Sequence, residues 1–187
     1  MIITILAEPR TGSTNLANWF YRNKNFTILF EPSNPSSDWF QNGVEPKDYK
    51  YSTKHLCIKE IYYPGINWDS LLNISNKMIV LYRENTQEQL ESFLNSTRTN
   101  IWHLNYVYKP EENDLLSEKA KYFNELKTEF KENYIDKGFF RISYEELYYS
   151  NGFEKIVNYL DIDDVKNIGF PVGNKYRIYV NKTKTLI

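Results

Sequence analysis

Between an apolar run, Ile2 to Ala7, and a segment whose Leu16, Trp19 and Phe20 recur at helical spacing lies the polar stretch EPRTGSTN at residues 8–15. The run reads as a buried strand and the following segment as a helix, so the stretch between them occupies a helix N-terminus. Backbone N–H groups of Gly12, Ser13 and Thr14 precede the first intrahelical acceptors, and the helix dipole adds positive potential there. Such a loop binds an anion. Arg10, Thr11, Gly12, Ser13, Thr14 and Asn15 form the candidate set. A nucleoside-triphosphate loop needs a Lys after its second glycine, to reach the outer phosphates. With Gly12 in that place, Ser13 stands where the Lys belongs and the cation precedes the glycine as Arg10. The competing reading of this segment alone is an ordinary strand-to-helix turn.

Two more polar groups fall at the same edge. Arg83 directly follows the apolar run KMIVLY at 77–82, and Ser92 follows nine residues later on a helix. A guanidinium offers a fork of donors to phosphate oxygens, and a helical hydroxyl can add one more. Glu31 ends the strand FTILF and enters a loop at Pro32, so its carboxylate emerges near Arg10. Lys59 and Glu60 lie in HLCIKEI at 55–61, and because neighbouring strand residues face opposite ways, at most one of them faces an anion at this edge.

The arrangement resembles the sulfotransferase family that uses 3′-phosphoadenosine 5′-phosphosulfate (PAPS). Pro9 to Thr14 match its P[KR][ST]G[ST]T phosphosulfate loop, in the Arg and Ser-Thr version most like the bacterial trehalose sulfotransferase, carbohydrate and tyrosylprotein branches. LYRENTQEQLESF matches the trehalose sulfotransferase pattern in its Arg-to-Ser spacing and in a Gln before the Ser. The resemblance implies that Arg83 and Ser92 grip the donor's 3′-phosphate. It implies that Tyr144, in ISYEEL, contacts the donor nucleotide. Glu145 beside it is expected to cap or orient the strand end. A basic C-terminal segment covers the 3′-phosphate in many relatives; Lys175 and Arg177 are the candidates here, at a spacing that departs from the usual one. The resemblance also assigns Glu31 as general base, with Glu60 the rival, and Lys59 as a cation near the sulfuryl group, with Arg10 stabilising the leaving phosphate. PAPS is then the donor and 3′-phosphoadenosine 5′-phosphate (PAP) the product, with no metal required. His55 starts its strand rather than ending it, and is expected to be a packed or surface residue.

Composition sets the frame. At 187 residues, 41% hydrophobic and 17% aromatic, one domain spanning 1–187 with an ample core is expected. A net charge of −1 offers no attraction for nucleic acid. The single Cys57 lies in an apolar strand and reads as a packed thiol. The opening apolar run has no basic leader and is too short for a signal or a membrane span, so cytoplasmic folding is expected.

Strands and helices alternate: strands at 2–7, 26–30, 55–61, 77–82 and in GFFRIS; helices after the loop, at 67–75, at ENTQEQLESFLNSTR with Leu90, Phe93 and Leu94 on one face, in a charged stretch ending near Gly138, and at 153–160. The pattern implies an α/β fold, a three-layer, mostly parallel sheet of P-loop nucleotide-kinase-like architecture, with ligands at the carboxyl ends of the strands. Loops 33–53 and 99–112 carry Trp39, Phe40, Tyr49, Tyr51, Trp102, His103, Tyr106 and Tyr108, which could wall a pocket for a small-molecule acceptor, a saccharide or a phenol. A small-molecule phosphotransferase on the same fold, or a non-catalytic nucleotide-binding module, are the alternatives. Oligomeric state leaves no mark in the sequence.

Overall fold

Apolar residues at consecutive positions of a strand demand cover on both faces, and this chain supplies it with helices. The computed structural model describes residues 1–99 and 113–166. Five strands, β1 (Ile2–Ala7), β2 (Phe26–Phe30), β3 (His55–Ile61), β4 (Lys77–Tyr82) and β5 (Arg141–Ser143), form one sheet in the order β2-β3-β1-β4-β5. Every pairing is parallel. The expected three-layer α/β architecture is therefore the one found.

On one face, Ile3, Ile5, Cys57 and Ile79 pack against α1 (Ser13–Tyr21), α6 (Tyr144–Tyr149), α7 (Gly152–Leu160) and α8 (Asp163–Lys166), through Leu16, Phe20, Leu147, Ile156 and Val165. The other face, with Leu6, Ile58 and Val80, packs under α3 (Asp69–Ile74) and α5 (Asn113–Phe130), through Leu71, Leu126 and Phe130. A short α2 (Asp38–Gln41) and a 3₁₀ turn (Pro46–Asp48) fold the loop after β2, and α4 (Thr86–Thr99) follows β4. No helix among the described residues is long and apolar enough to cross a membrane.

Several local expectations are corrected. The last strand is only Arg141–Ser143, because Ser143 caps a new helix by accepting from the Glu146 N–H at 3.1 Å. Helix α3 starts at Asp69 with Trp68 at its N-cap, two residues later than the apolar pattern set it, and the Asn67 side chain accepts from the Asp69 N–H at 2.9 Å just outside it. The charged helix α5 ends in a π-helical turn, Lys131–Ile135, before Gly138 turns the chain with φ 80°. Most telling is α4, whose buried stripe is Gln89, Phe93 and Ser96, while Leu90 and Leu94 are only half-buried. Of this inward face, Gln89 bonds to Glu8 and to the Pro9 carbonyl in the loop that follows β1. His55 is buried and paired with Asp164 at 2.8 Å, and Cys57 is fully buried with its thiol pKa pushed up by burial, as expected of packed residues.

Candidate functional site

Parallel strands leave their carboxyl ends together, and here the ends of β1, β2, β3 and β4 gather the polar residues anticipated from sequence. The loop from Glu8 to Gly12 leaves the central strand through two residues in the left-handed region, Arg10 at φ 65° and Gly12 at φ 75°. Gly12 is required on two counts. Its φ suits glycine, and a Cβ placed there would lie 2.8 Å from Tyr148 Cε2. The Tyr148 hydroxyl donates to the Gly12 carbonyl at 2.8 Å, so this aromatic side chain clamps the turn. Asn15 and Leu16 donate the first helical bonds back to the Gly12 carbonyl, leaving the N–H groups of Gly12, Ser13 and Thr14 ahead of the helical ladder. Thr11 is spent internally, donating to the Glu8 carbonyl at 2.8 Å.

Arg10 and Arg83 converge. Arg10 Nε donates to Ser92 Oγ at 2.9 Å, and Arg83 Nη1 reaches the Arg10 carbonyl at 3.5 Å. Burial lowers the Arg10 pKa, and the like charge of Arg83 lowers it further. Thus three residues chosen from two separate motifs meet at one place. Tyr144 joins them: its ring lies under the Arg83 guanidinium at 4.5 Å, a cation–π contact. Glu145 accepts from the N–H groups of Glu84 and Asn85 at 3.0 and 3.2 Å, so it orients the end of β4 rather than that of its own strand. Its Oε1 lies 3.7 Å from Arg83 Nε.

Beneath the loop lies a buried polar set that sequence reasoning missed. Glu8 Oε2 accepts from the Arg83 N–H at 3.2 Å, from Gln89 Nε2 at 3.1 Å and from Lys127 Nζ at 3.1 Å. Lys127, from α5, also donates to the Arg83 carbonyl at 2.8 Å and to Gln89 Oε1 at 2.9 Å, while Gln89 holds the Pro9 carbonyl at 2.8 Å. Burial raises the Glu8 pKa, opposed chiefly by Lys127. The set ties the loop after β1, β4, α4 and α5 to one another. A signal existed in the sequence: a glutamate immediately following a strand that is apolar but for Thr4.

At the edge nearer β2, the facing of β3 is as its alternation demands. Lys59 shares the α1 side with Cys57, and Glu60 the other side with Ile58. Lys59, with a side chain 2% exposed, forms an ion pair with Glu31, 29% exposed. Burial lowers the Lys59 pKa, opposed by the Glu31 charge. Glu31 departs from expectation in its backbone, standing at φ 49° before Pro32 where an extended conformation is usual. Its N–H donates to the Lys59 carbonyl at 2.6 Å, its carbonyl accepts from the Asn34 N–H at 3.0 Å, and Asn34 Nδ2 donates to its carboxylate at 3.1 Å. These bonds over-determine the turn. Glu60 is fully buried, accepts from the Ser33 N–H at 2.8 Å, and has its pKa pushed up to about 7 by desolvation.

Of the loop aromatics, Trp39 and Tyr49 pack edge-to-face at 5.1 Å against the sheet, whereas Phe40 and Tyr51 are exposed. Trp102, His103, Tyr106, Tyr108, Lys175 and Arg177 lie outside the described residues.

No protein-family model matches the sequence, and no curated protein is similar to it. The structure is similar to that of a mouse sulfotransferase, SULT7A1, complexed with PAP, with a TM-score of 0.58 and 17% identity over 89% of this chain. The chain covers 61% of the length of that protein. The likeness defines the class of fold: a P-loop-like sulfotransferase fold built on a five-stranded parallel sheet.

Proposed function

We propose that the protein is a PAPS-dependent sulfotransferase, moving a sulfuryl group directly to an acceptor hydroxyl or amine and releasing PAP. The observation that carries this reading is the meeting of Arg10, Arg83 and Ser92 beside a phosphate loop that has no Lys after Gly12. The Arg83 guanidinium and the Ser92 hydroxyl suit a second phosphate, separate from the one received by a helix N-terminus, and Arg10 ties Ser92 to the loop. The donor's adenosine carries phosphate at both the 3′ and the 5′ position. The residues fit such a molecule: the N–H groups of Gly12, Ser13 and Thr14 lie ahead of the helical ladder, and the buried Arg83 Nε makes no hydrogen bond among the described residues.

In this mechanism the N–H groups of Gly12, Ser13 and Thr14, with the side chains of Thr14 and Asn15, face the 5′-phosphate. Arg83 and Ser92 bind the 3′-phosphate, and Tyr144 flanks the nucleotide. Glu31 accepts the proton of the acceptor group. The acceptor atom then bonds to sulfur as the bond from sulfur to the 5′-phosphate oxygen breaks, and the electron pair stays with that oxygen. Arg10 and the helix N-terminus stabilise the charge gathered there. Lys59 aims Glu31 by pairing with it, and its buried positive charge is the second candidate for favouring charge on the sulfuryl oxygens. Glu60, sealed from solvent, cannot meet an acceptor. Lys175 and Arg177 remain sequence-based candidates for covering the 3′-phosphate. Exposed Phe40 and Tyr51 suit a sugar or a phenol as acceptor.

Calorimetry with PAP, AMP and ATP tests the donor site, and turnover with sulfur-labelled PAPS tests catalysis. PAP binding well above both AMP and ATP is expected; equal affinity for PAP and AMP would remove the assignment.

A further inference from the structure

Two carboxylates approach the Arg83 guanidinium, and they are held very differently. Glu145 is built into the fold, with both carboxylate oxygens engaged by backbone N–H groups at the end of β4. It reaches Arg83 only at 3.7 Å, beyond hydrogen-bond distance. Glu88 lies in the first turn of α4 and contacts Arg83 Nη2 at 2.6 Å. Its side chain is 58% exposed, against 8% for Arg83, so it sits on the solvent side of a buried cation. Its other hold is a 3.3 Å bond from the Asn85 side chain. The guanidinium also has the Tyr144 ring on one face and the Arg10 carbonyl near Nη1. An anion arriving from solvent to bind Arg83 therefore meets Glu88.

We propose that Glu88 is a specificity-determining counter-anion, occupying on Arg83 the seat that the 3′-phosphate takes, so that a ligand anion binds there only by displacing it. This rests on the donor reading above. A tethered carboxylate neutralises one of two adjacent guanidinium charges and stabilises the empty clamp. A lone anion with no other contact must offset that loss unaided. A nucleotide whose 5′-phosphate is already held at the helix N-terminus brings its 3′-phosphate at high effective concentration and displaces the carboxylate. Glu88 therefore lowers affinity for every anion at this seat by the same factor, and the anions left too weakly bound to occupy it are those without an adenosine 5′-phosphate attached. The solvent-exposed position of Glu88 limits the effect to the range of exposed ion pairs.

The test compares wild type, Glu88→Gln, Glu88→Ala and a control, Glu91→Gln, whose side chain is exposed and accepts from Gln87 on the same helix. Affinities for PAP, AMP and inorganic phosphate are measured by calorimetry, with thermal unfolding as a check on folding. Both Glu88 variants should bind PAP and inorganic phosphate about 3–10-fold more tightly, with AMP and the Glu91 control unchanged. Unchanged or weaker binding of both probes in the Glu88 variants overturns the proposal while leaving the donor reading intact. If wild type binds PAP and AMP equally, the donor reading falls, and the inorganic phosphate arm still decides whether Glu88 competes for Arg83.

Discussion

Lys59 and Glu31 form an ion pair in which the lysine is buried and the carboxylate reaches toward solvent. The pair divides two tasks between adjacent strands: β3 supplies a fixed positive charge, and the residue ending β2 supplies a carboxylate with access to the cleft. Glu60, one position further along β3, has the pKa best matched to a general base but no route to an acceptor. Geometry decides before pKa does. Glu31→Gln should therefore bind PAP nearly as wild type while turnover falls about 10²–10⁴-fold, and Glu60→Gln should be much milder. Single-turnover rates with saturating PAPS measure this; the opposite ranking would transfer the base to Glu60.

Arg83 offers the second prediction. With Tyr144 on its face and its Nε buried without a hydrogen bond among the described residues, the guanidinium is pre-positioned for an anion. Arg83→Ala should weaken PAP by roughly 2–5 kcal/mol and leave AMP unchanged, since only PAP carries the 3′-phosphate. Arg83→Lys should recover little, because a point charge replaces a planar fork. Equal weakening of PAP and AMP would show that Arg83 supports the loop as a whole instead.

Strands β1, β2 and β4 were legible because each is a nearly unbroken apolar run bounded by polar residues, and parallel order follows from the helices between the strands. Pro9 to Thr14, Arg83 and Ser92 were legible because their types and order are unusual. What sequence could not reveal is what turns side chains inward against their type. Gln89 is polar and yet buried, because it bonds Glu8 and the Pro9 carbonyl of the loop, and Ser96 is buried with its hydroxyl donating to the Ser92 carbonyl of the same helix. Tyr148 is one of 16 tyrosines, and only its distance to Gly12 distinguishes it. Glu31 before a proline reads as extended, and it is held left-handed by bonds to β3 and Asn34 that no local pattern encodes.

The Gly12–Tyr148 contact makes a separable prediction about stability. Gly12→Ala combines a left-handed alanine with a Cβ 2.8 Å from the tyrosine ring, and should cost about 2–4 kcal/mol. In a Tyr148→Ala background the steric part disappears, and the cost should fall to the backbone strain alone, about 1–2 kcal/mol. Denaturant unfolding of the four proteins of this cycle gives the coupling directly. Additive costs would mean that the ring does not clamp the loop.

Glu60 makes the protein's stability depend on pH in a definite direction. Its carboxyl is pushed from the ordinary 4.5 up to about 7, first by desolvation. Between those values the folded protein keeps a proton that the unfolded chain has released, so stability falls as pH rises through this window and levels off above it. At about 1.4 kcal/mol per pKa unit, ionising Glu60 in place costs on the order of 3 kcal/mol near neutrality. Glu8, also raised by burial, acts in the same direction, so removing Glu60 should flatten the profile without abolishing its slope. Asp164, lowered by its hydrogen bonds to Lys54, His55 and Asn25, acts oppositely and only below its ordinary 3.8, outside this window. Glu60→Gln keeps an oxygen for the Ser33 N–H and cannot ionise. Its unfolding free energy should match wild type near pH 4.5 and exceed it increasingly toward pH 7. Parallel curves for the two proteins, from urea unfolding across that range, would show that Glu60 is ionised in the folded state throughout.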